Sequence, residues 1–328
     1  MTPEMLRTTR DIDDVRILSP QGDETARIVF KLVLFFEGGN TLEGQLNALT
    51  ALADLAEDVA PHLAFMQCAG DTARPEQFDL IAFRQRSEQA IRKRHTAGLS
   101  ASGIDLGLFG AEFRPPNNTG VTPFGGSVIA GGGLEGTADI SVLEFSTSLF
   151  WDAQTMFRRH AERARKAAST LRASFGMAGF ALQYDRIYAS TAGTYPYLAR
   201  FPGLHCGLDD RFAAELSVRR QRANRYFSLN WLTLLSDDLL AELVPAEQLQ
   251  QHLGDSIPIS RFDGGIIIQA GQHPQLGDVN QGLILQDYRA VNAAIRNLRF
   301  ESYIVPVLDA PEPLDALEAT LEWVRRYD

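Results

Sequence analysis

The chain has 328 residues, 45% of them hydrophobic and 22% charged, with a formal net charge of -10 and a pI near 5.2. That composition fits one large or two ordinary globular domains and excludes a disordered chain. No apolar run approaches the about 20 residues that span a bilayer, and an acidic surface disfavours a phosphate backbone as partner.

The charge is unevenly placed. Residues 1–80 carry 14 acidic and 6 basic side chains, residues 81–172 carry 8 and 12, and residues 173–328 carry 19 and 13. The N-terminus has an early acid, Glu4, and no apolar core, so it does not read as a secretory signal. A cytoplasmic location is the expectation. Cys68 and Cys206 are far apart and read as small core residues, not as a disulfide framework or zinc site.

In chain order, Arg27–Phe36 is strand-like and stops at Gly38-Gly39. Asn40, with Glu43 three residues on, has capping-box spacing, and Leu42, Leu46, Leu49, Leu52, Leu55 and Val59 follow at helical steps. Pro61 ends that helix and Leu63–Gln67 reads as a strand. Ile140–Phe150 is again strand-like, Asp152 is placed to cap a helix to about Arg172, and Met177–Gln183 reads as the next strand. These are two strand-helix-strand units of similar length, with too little identity to establish a duplication. A third runs from Phe227–Leu235 through helix around Leu239–Leu253 to Ile266.

Ile266, Ile267 and Ile268 are consecutive β-branched residues between glycines, which suits a buried strand. Pro274, Gly277 and Asp278 follow in a turn-rich loop. Ile284, Tyr288, Val291, Ile295 and Leu298 then mark one helix face. The chain closes with an expected short or edge strand at Tyr303–Leu308, interrupted by Pro306, and a helix with Leu314, Leu317, Leu321 and Val324 on one face.

The fold class expected is α+β: repeated strand-helix-strand units with helices packed on mixed or antiparallel sheets. One domain covers 1–328, with two lobes, about 1–115 and 137–328, meeting around the Pro115-Pro116 and Gly131-Gly132-Gly133 loops.

Catalytic motifs are sparse. The chain has no phosphate-binding G-x-x-x-x-G-K-[ST], no H-E-x-x-H and no G-x-S-x-G, and its six histidines are scattered. His273, Asp278 and Asn280 invite an active-site reading, but a structural loop in which Asp278 and Asn280 bond the local backbone is favoured. Basic runs at Arg84–Arg94, Arg158–Lys166 and Arg219–Arg225 raise a nucleic-acid reading, but the second lies within a helical pattern and reads as a solvated face, and nucleic-acid binding is disfavoured. No catalytic, cofactor or metal residues are assigned. The candidate partner-binding residues are acidic: Asp11, Asp13, Asp14, Asp54, Glu57, Asp58, Asp209, Asp210, Asp237 and Asp238.

Three stretches are idiosyncratic: Asn230-Trp-Leu-Thr-Leu-Leu235, Gly264 to Asn280, and Tyr288-Arg-Ala-Val-Asn292. Weaker companions are Phe35–Gly39, Arg200–Leu204 and Trp323–Asp328. Together they resemble the type VI immunity family, with Glu37 where the family usually has Arg; residues 70–135 match least. The resemblance implies an immunity protein, not an enzyme, that neutralises a cognate type VI secretion effector toxin in the cytoplasm. The implied partner is a basic nuclease, and the contact is protein to protein. The alternative is an adaptor or chaperone that holds the effector for secretion.

Overall fold

The computed structural model describes residues 12–13, 15–69, 74–99, 103–114, 120–131, 140–149, 156–185, 193–209, 225–243 and 245–328. Among these, eleven strands form one sheet in the order β10-β11-β9-β8-β2-β7-β6-β5-β3-β4, with β1 paired to β2. The strands are β1 (Arg16–Leu18), β2 (Glu24–Glu37), β3 (Leu63–Gln67), β4 (Glu76–Gln77), β5 (Ile104–Gly110) and β6 (Gly125–Ala130). They continue with β7 (Ile140–Thr147), β8 (Phe175–Tyr184), β9 (Leu232–Ser236), β10 (Ile259–Phe262) and β11 (Gly265–Gln269). Every pairing between named strands is antiparallel.

The helices are α1 (Leu42–Glu57), α2 (Leu80–Thr96), α3 (Met156–Leu171), α4 (Tyr195–Arg200), α5 (Asp237–Ala241), α6 (Ala246–Leu253), α7 (Gln286–Ile295) and α8 (Ala316–Val324). The class is α+β. The first two strand-helix-strand units do not organise the sheet, however, whereas the strands of the third, β9 and β11, pair. β2 and β3 flank α1 in sequence, yet β7, β6 and β5 stand between them, and β7 and β8 flank β2 instead of pairing. Because β7 enters between β2 and β6, segments on both sides of residues 115–137 share one sheet.

β2 is the spine. It is buried without interruption from Ala26 to Phe36, the pattern of a strand covered on both faces. Its side chains alternate. Phe30 stacks on His160 of α3 at 3.8 Å between ring centroids and meets Trp231 edge-on. Lys31 and Phe35 face the other way, towards Asp209 and Phe227. Helix α1 packs on β5, β6 and β7 and carries α2 and α3 beside it.

Several local expectations change. The N-cap of α1 is Thr41, whose hydroxyl accepts from Gly44 N at 3.0 Å, so Asn40 and the capping box are displaced by one residue. The expected cap at Asp152 lies outside the described residues. The strand after Phe227 starts only at Leu232, and the helical stretch that follows is two helices, α5 and α6. β10 joins β11 through Asp263-Gly264, a two-residue hairpin signal present in the sequence. Helix α7 begins at Gln286, leaving Ile284 in the loop and 56% exposed. Among the described residues Tyr303–Leu308 forms no strand. In α8 the buried side is Ala319, Thr320, Trp323 and Val324, so Trp323 lies at the centre and Leu314 lies outside the helix, exposed.

Candidate functional site

The acidic candidates part company in the structure. Asp11, Asp14 and Asp210 lie outside the described residues. Asp13 is an anchor: its carboxylate accepts from the Ser148 hydroxyl and from Leu149 N, each at 2.9 Å. Asp54, Glu57 and Asp58 end α1 on one surface, but α2 and α3 bring matching cations to them. Arg84 and Lys166 each reach Asp54 at 2.8 Å, Arg84 also lies 3.8 Å from Glu57, and Arg163 Nε donates to Asp58 at 2.7 Å. Burial presses the Asp54 pKa upward, and the hydrogen bonds from Lys166 and Arg84 outweigh it, so its carboxyl stays below the usual range. Three acids matched by three bases leave this face without a net negative field. Asp237 pairs with Arg261 at 2.8 Å, and Asp238 is exposed in the first turn of α5.

Asp209 requires correction as a surface candidate. It is 0% exposed and belongs to a buried ion cluster. Lys31 Nζ of β2 lies 2.7 Å from Glu144 of β7 and 3.3 Å from Asp209, and Asp209 Oδ1 lies 2.7 Å from His205 Nε2. Lys31 also donates to Gly207 O at 3.3 Å. Burial alone would strip the Lys31 proton, but Glu144 and Asp209 reverse that and hold the ammonium charged. Burial pushes His205 down towards its neutral form, against the pull of Asp209. Burial presses the Asp209 carboxyl upward, and the hydrogen bond from His205 together with the charge and hydrogen bond of Lys31 turns it below the usual range. A lysine locked in its charged form is neither base nor nucleophile; the cluster ties β2, β7 and the 205–209 segment together. A cleft of about 190 Å³ lies beside it, walled by Phe109, Phe113 and Tyr184. The neighbouring Cys206 is 0% exposed and burial raises its thiol to about 12, the state of an inert core residue.

The loop after β11 is built as a scaffold. Asp278 caps the 3-10 turn Val279–Gln281, accepting from Asn280 N at 3.0 Å, and binds Arg200 of α4 at 2.7 Å. Gly282 ends the turn at φ 68, a conformation that favours glycine. His273 packs on Phe157, with 5.4 Å between ring centroids. His273, Asp278 and Asn280 therefore serve separate structural contacts. Among the described residues no three His, Cys, Asp or Glu side chains gather as metal ligands would, and no helix is long and apolar enough to cross a membrane.

That loop forms one wall of a groove of about 500 Å³, with Tyr195 and Leu198 of α4 and Trp323 of α8 on the others. Val279, Leu283 and Ile284 stand at its margin, 61%, 56% and 56% exposed. The floor is stiff. Arg326 lies over the Trp323 ring at 4.0 Å and donates to Pro202 O at 2.7 Å; Tyr327 Oη donates to the same carbonyl at 2.6 Å. Arg299 clamps Asp328 through two bonds of 2.8 Å, which, led by its hydrogen bond, holds that carboxyl near about 2. Beyond Glu322 the surface continues over the outer side of α8, where Asp315, Leu317, Glu318 and Leu321 line a second, shallower groove. Sequence reading missed this surface because it placed Ile284 on a core face.

Comparison with known proteins bears on this same region. No curated protein matches the sequence. A solved Pseudomonas aeruginosa structure, described as T6SS protein PA0821, superposes with a TM-score of 0.79 over 99% of this chain and 91% of that one. At 19% identity the likeness is one of fold. The family model named TsiV, type VI immunity for VRR-NUC, matches residues 133–327. That span holds β7 to α8, the three idiosyncratic stretches and all of the groove's lining except Asp328, and on its extent the chain belongs to the family of type VI immunity proteins for VRR-NUC.

Proposed function

We propose that this protein neutralises a VRR-NUC nuclease effector of a type VI secretion system, in the cytoplasm, by binding it stoichiometrically and covering its active site. The family match over residues 133–327 carries this reading. Charge supports it. A nuclease must expose a basic surface to its substrate, and a chain of net charge -10 is attracted to that surface and repelled by the nucleic acid itself. Complementary charge raises association rates to as much as about 10⁸–10⁹ per molar per second, which suits a protein that must reach its toxin before the toxin reaches DNA. Occlusion requires an interface of about 1,600 Å².

The test is growth of cells expressing the effector encoded beside this gene, with and without this protein, together with a nuclease titration of the purified pair. Rescue, a stable complex and complete inhibition at one equivalent are expected. A complex that leaves the nuclease active would make the protein an adaptor for secretion.

A further inference from the structure

We propose that the groove between the 279–285 loop and α8 is the docking surface for the effector, and that it receives an apolar side chain flanked by Lys or Arg. This rests on the immunity reading above and adds the location. Three features carry it.

The first is apolar exposure on a fixed frame. Val279, Leu283 and Ile284 project from a loop pinned by Asp278 to Arg200 and by the Val279–Gln281 turn. Exposed aliphatic side chains grouped on an ordered loop mark interaction sites, and a frame already ordered loses little entropy on binding. The groove beside them, at about 500 Å³, lies within the about 300–1,000 Å³ typical of sites that swallow a ligand group.

The second is an open polar valence. Trp323 lines the groove at 5% exposure, and among the described residues its buried Nε1–H has no hydrogen-bond partner. A buried donor left unpaired is unfavourable, and a partner that shifts the indole edge as it seats in the groove would bring a carbonyl or hydroxyl within its reach.

The third is charge. From Asp309 to Val324 the chain carries five carboxylates and no Lys or Arg. Glu312, Asp315, Glu318 and Glu322 are exposed. The cations nearby are turned to internal work: Arg200 on Asp278, Arg325 on Glu301, Arg299 on Glu301 and Asp328, Arg289 on Asp328 O, and Arg326 on Pro202 O and Ser228. The contrast with the α1 face, where each acid meets a base, sets this rim apart. A second copy of the chain would bring the same acids against it, so a basic partner is the occupant that fits.

The experiment uses the full chain and the effector encoded beside its gene, with affinity and association rate measured for four variants of confirmed native circular dichroism and melting temperature. Leu283→Asp and Ile284→Asp are expected to weaken binding by at least about 30-fold, the loss of a hot-spot contact. The double variant Glu318→Lys/Glu322→Lys is expected to slow association by about tenfold and to flatten its salt dependence. Ile81→Asp, on an exposed apolar residue of α2, should bind as wild type does. Hydrogen exchange of the complex should show protection at 279–285 and 314–324. Wild-type binding with all four variants within twofold of it and no such protection would overturn the docking site while leaving immunity intact. Self-association abolished by Leu283→Asp would replace the effector with a second copy as occupant. No binding by wild type would overturn both readings.

Discussion

Asn230 occupies the space that Gly179 leaves open on the neighbouring strand: a β-carbon at position 179 would stand 2.1 Å from Asn230 Oδ1. The amide is fully engaged there. Its Nδ2 donates to Phe180 O at 3.0 Å and its Oδ1 accepts from Trp231 N at 2.8 Å. Trp231 in turn donates through Nε1 to Gly271 O at 3.0 Å, beyond the end of β11. Two of the idiosyncratic stretches thus meet across one buried polar joint. Gly179→Ala is expected to destabilise by about 1–3 kcal/mol through overpacking, and Asn230→Ala by a similar amount through the orphaned Trp231 N–H, since Phe180 O still accepts from His205 N at 2.9 Å. Urea unfolding midpoints at constant m check this. A neutral Gly179→Ala would mean that Asn230 is free to swing away.

The buried Lys31, Glu144, Asp209 and His205 cluster predicts an asymmetric response. Asp209→Ala leaves the ammonium short of one counter-charge and should cost about 3–5 kcal/mol. Lys31→Met/Asp209→Leu removes both charges and should recover part of that loss. With the single variants Lys31→Met and Asp209→Leu to complete the cycle, the values read from denaturant titrations must be non-additive for the cluster to be real. Asp209 is fully buried, so a variant that stays folded should bind its partner as wild type does.

Acid should unfold the protein in two stages. His160, stacked on Phe30, is held well below its ordinary pKa by burial and then by the charge of Arg163; His205 is lowered chiefly by burial as well. Both are neutral in the fold, and the unfolded chain takes up protons first as pH falls through about 6.5. The unfolded state then binds more protons, so stability is complete above about pH 7 and declines as pH falls from there. Asp54, Glu301 and Asp328, all lowered when folded, add a second loss as pH falls below about 4. Unfolding midpoints measured between pH 7.5 and 5.5 should drop, and His160→Gln should flatten that slope. An unchanged slope would mean that His160 already titrates normally.

How far the sequence reaches depends on the distance over which each feature is decided. Local signals gave correct cores for β2, α1, β8 and β11, because an apolar run or an apolar stripe fixes burial by itself. The Asp263-Gly264 hairpin was equally local and was overlooked. Tyr303, Val307 and Leu308 do bury, but as an irregular segment: burial alone does not make a strand. Sheet order and ion pairing are non-local. Arg163 reaches Asp58 across 105 residues, and Lys31 and Gly207 are 176 apart. No count of carboxylates along the chain could tell that Asp54, Glu57 and Asp58 are matched while Glu318 and Glu322 stand on a surface poor in free cations.

That difference predicts where steering resides. Charges matched within a few ångströms cancel beyond the Debye length of about 8 Å at physiological salt, so the α1 surface exerts little long-range pull on a basic partner. Removing a matched pair, as in Asp54→Asn/Lys166→Gln, should therefore change the association rate with the effector by less than about threefold. Glu318→Gln/Glu322→Gln removes two unmatched charges and should slow association more, with a shallower dependence on salt. Stopped-flow association at several salt concentrations separates the two. If the α1 variant proved the slower, the approach path would lie over the helical face, and the acidic set first read from the sequence would be restored at Asp54, Glu57 and Asp58.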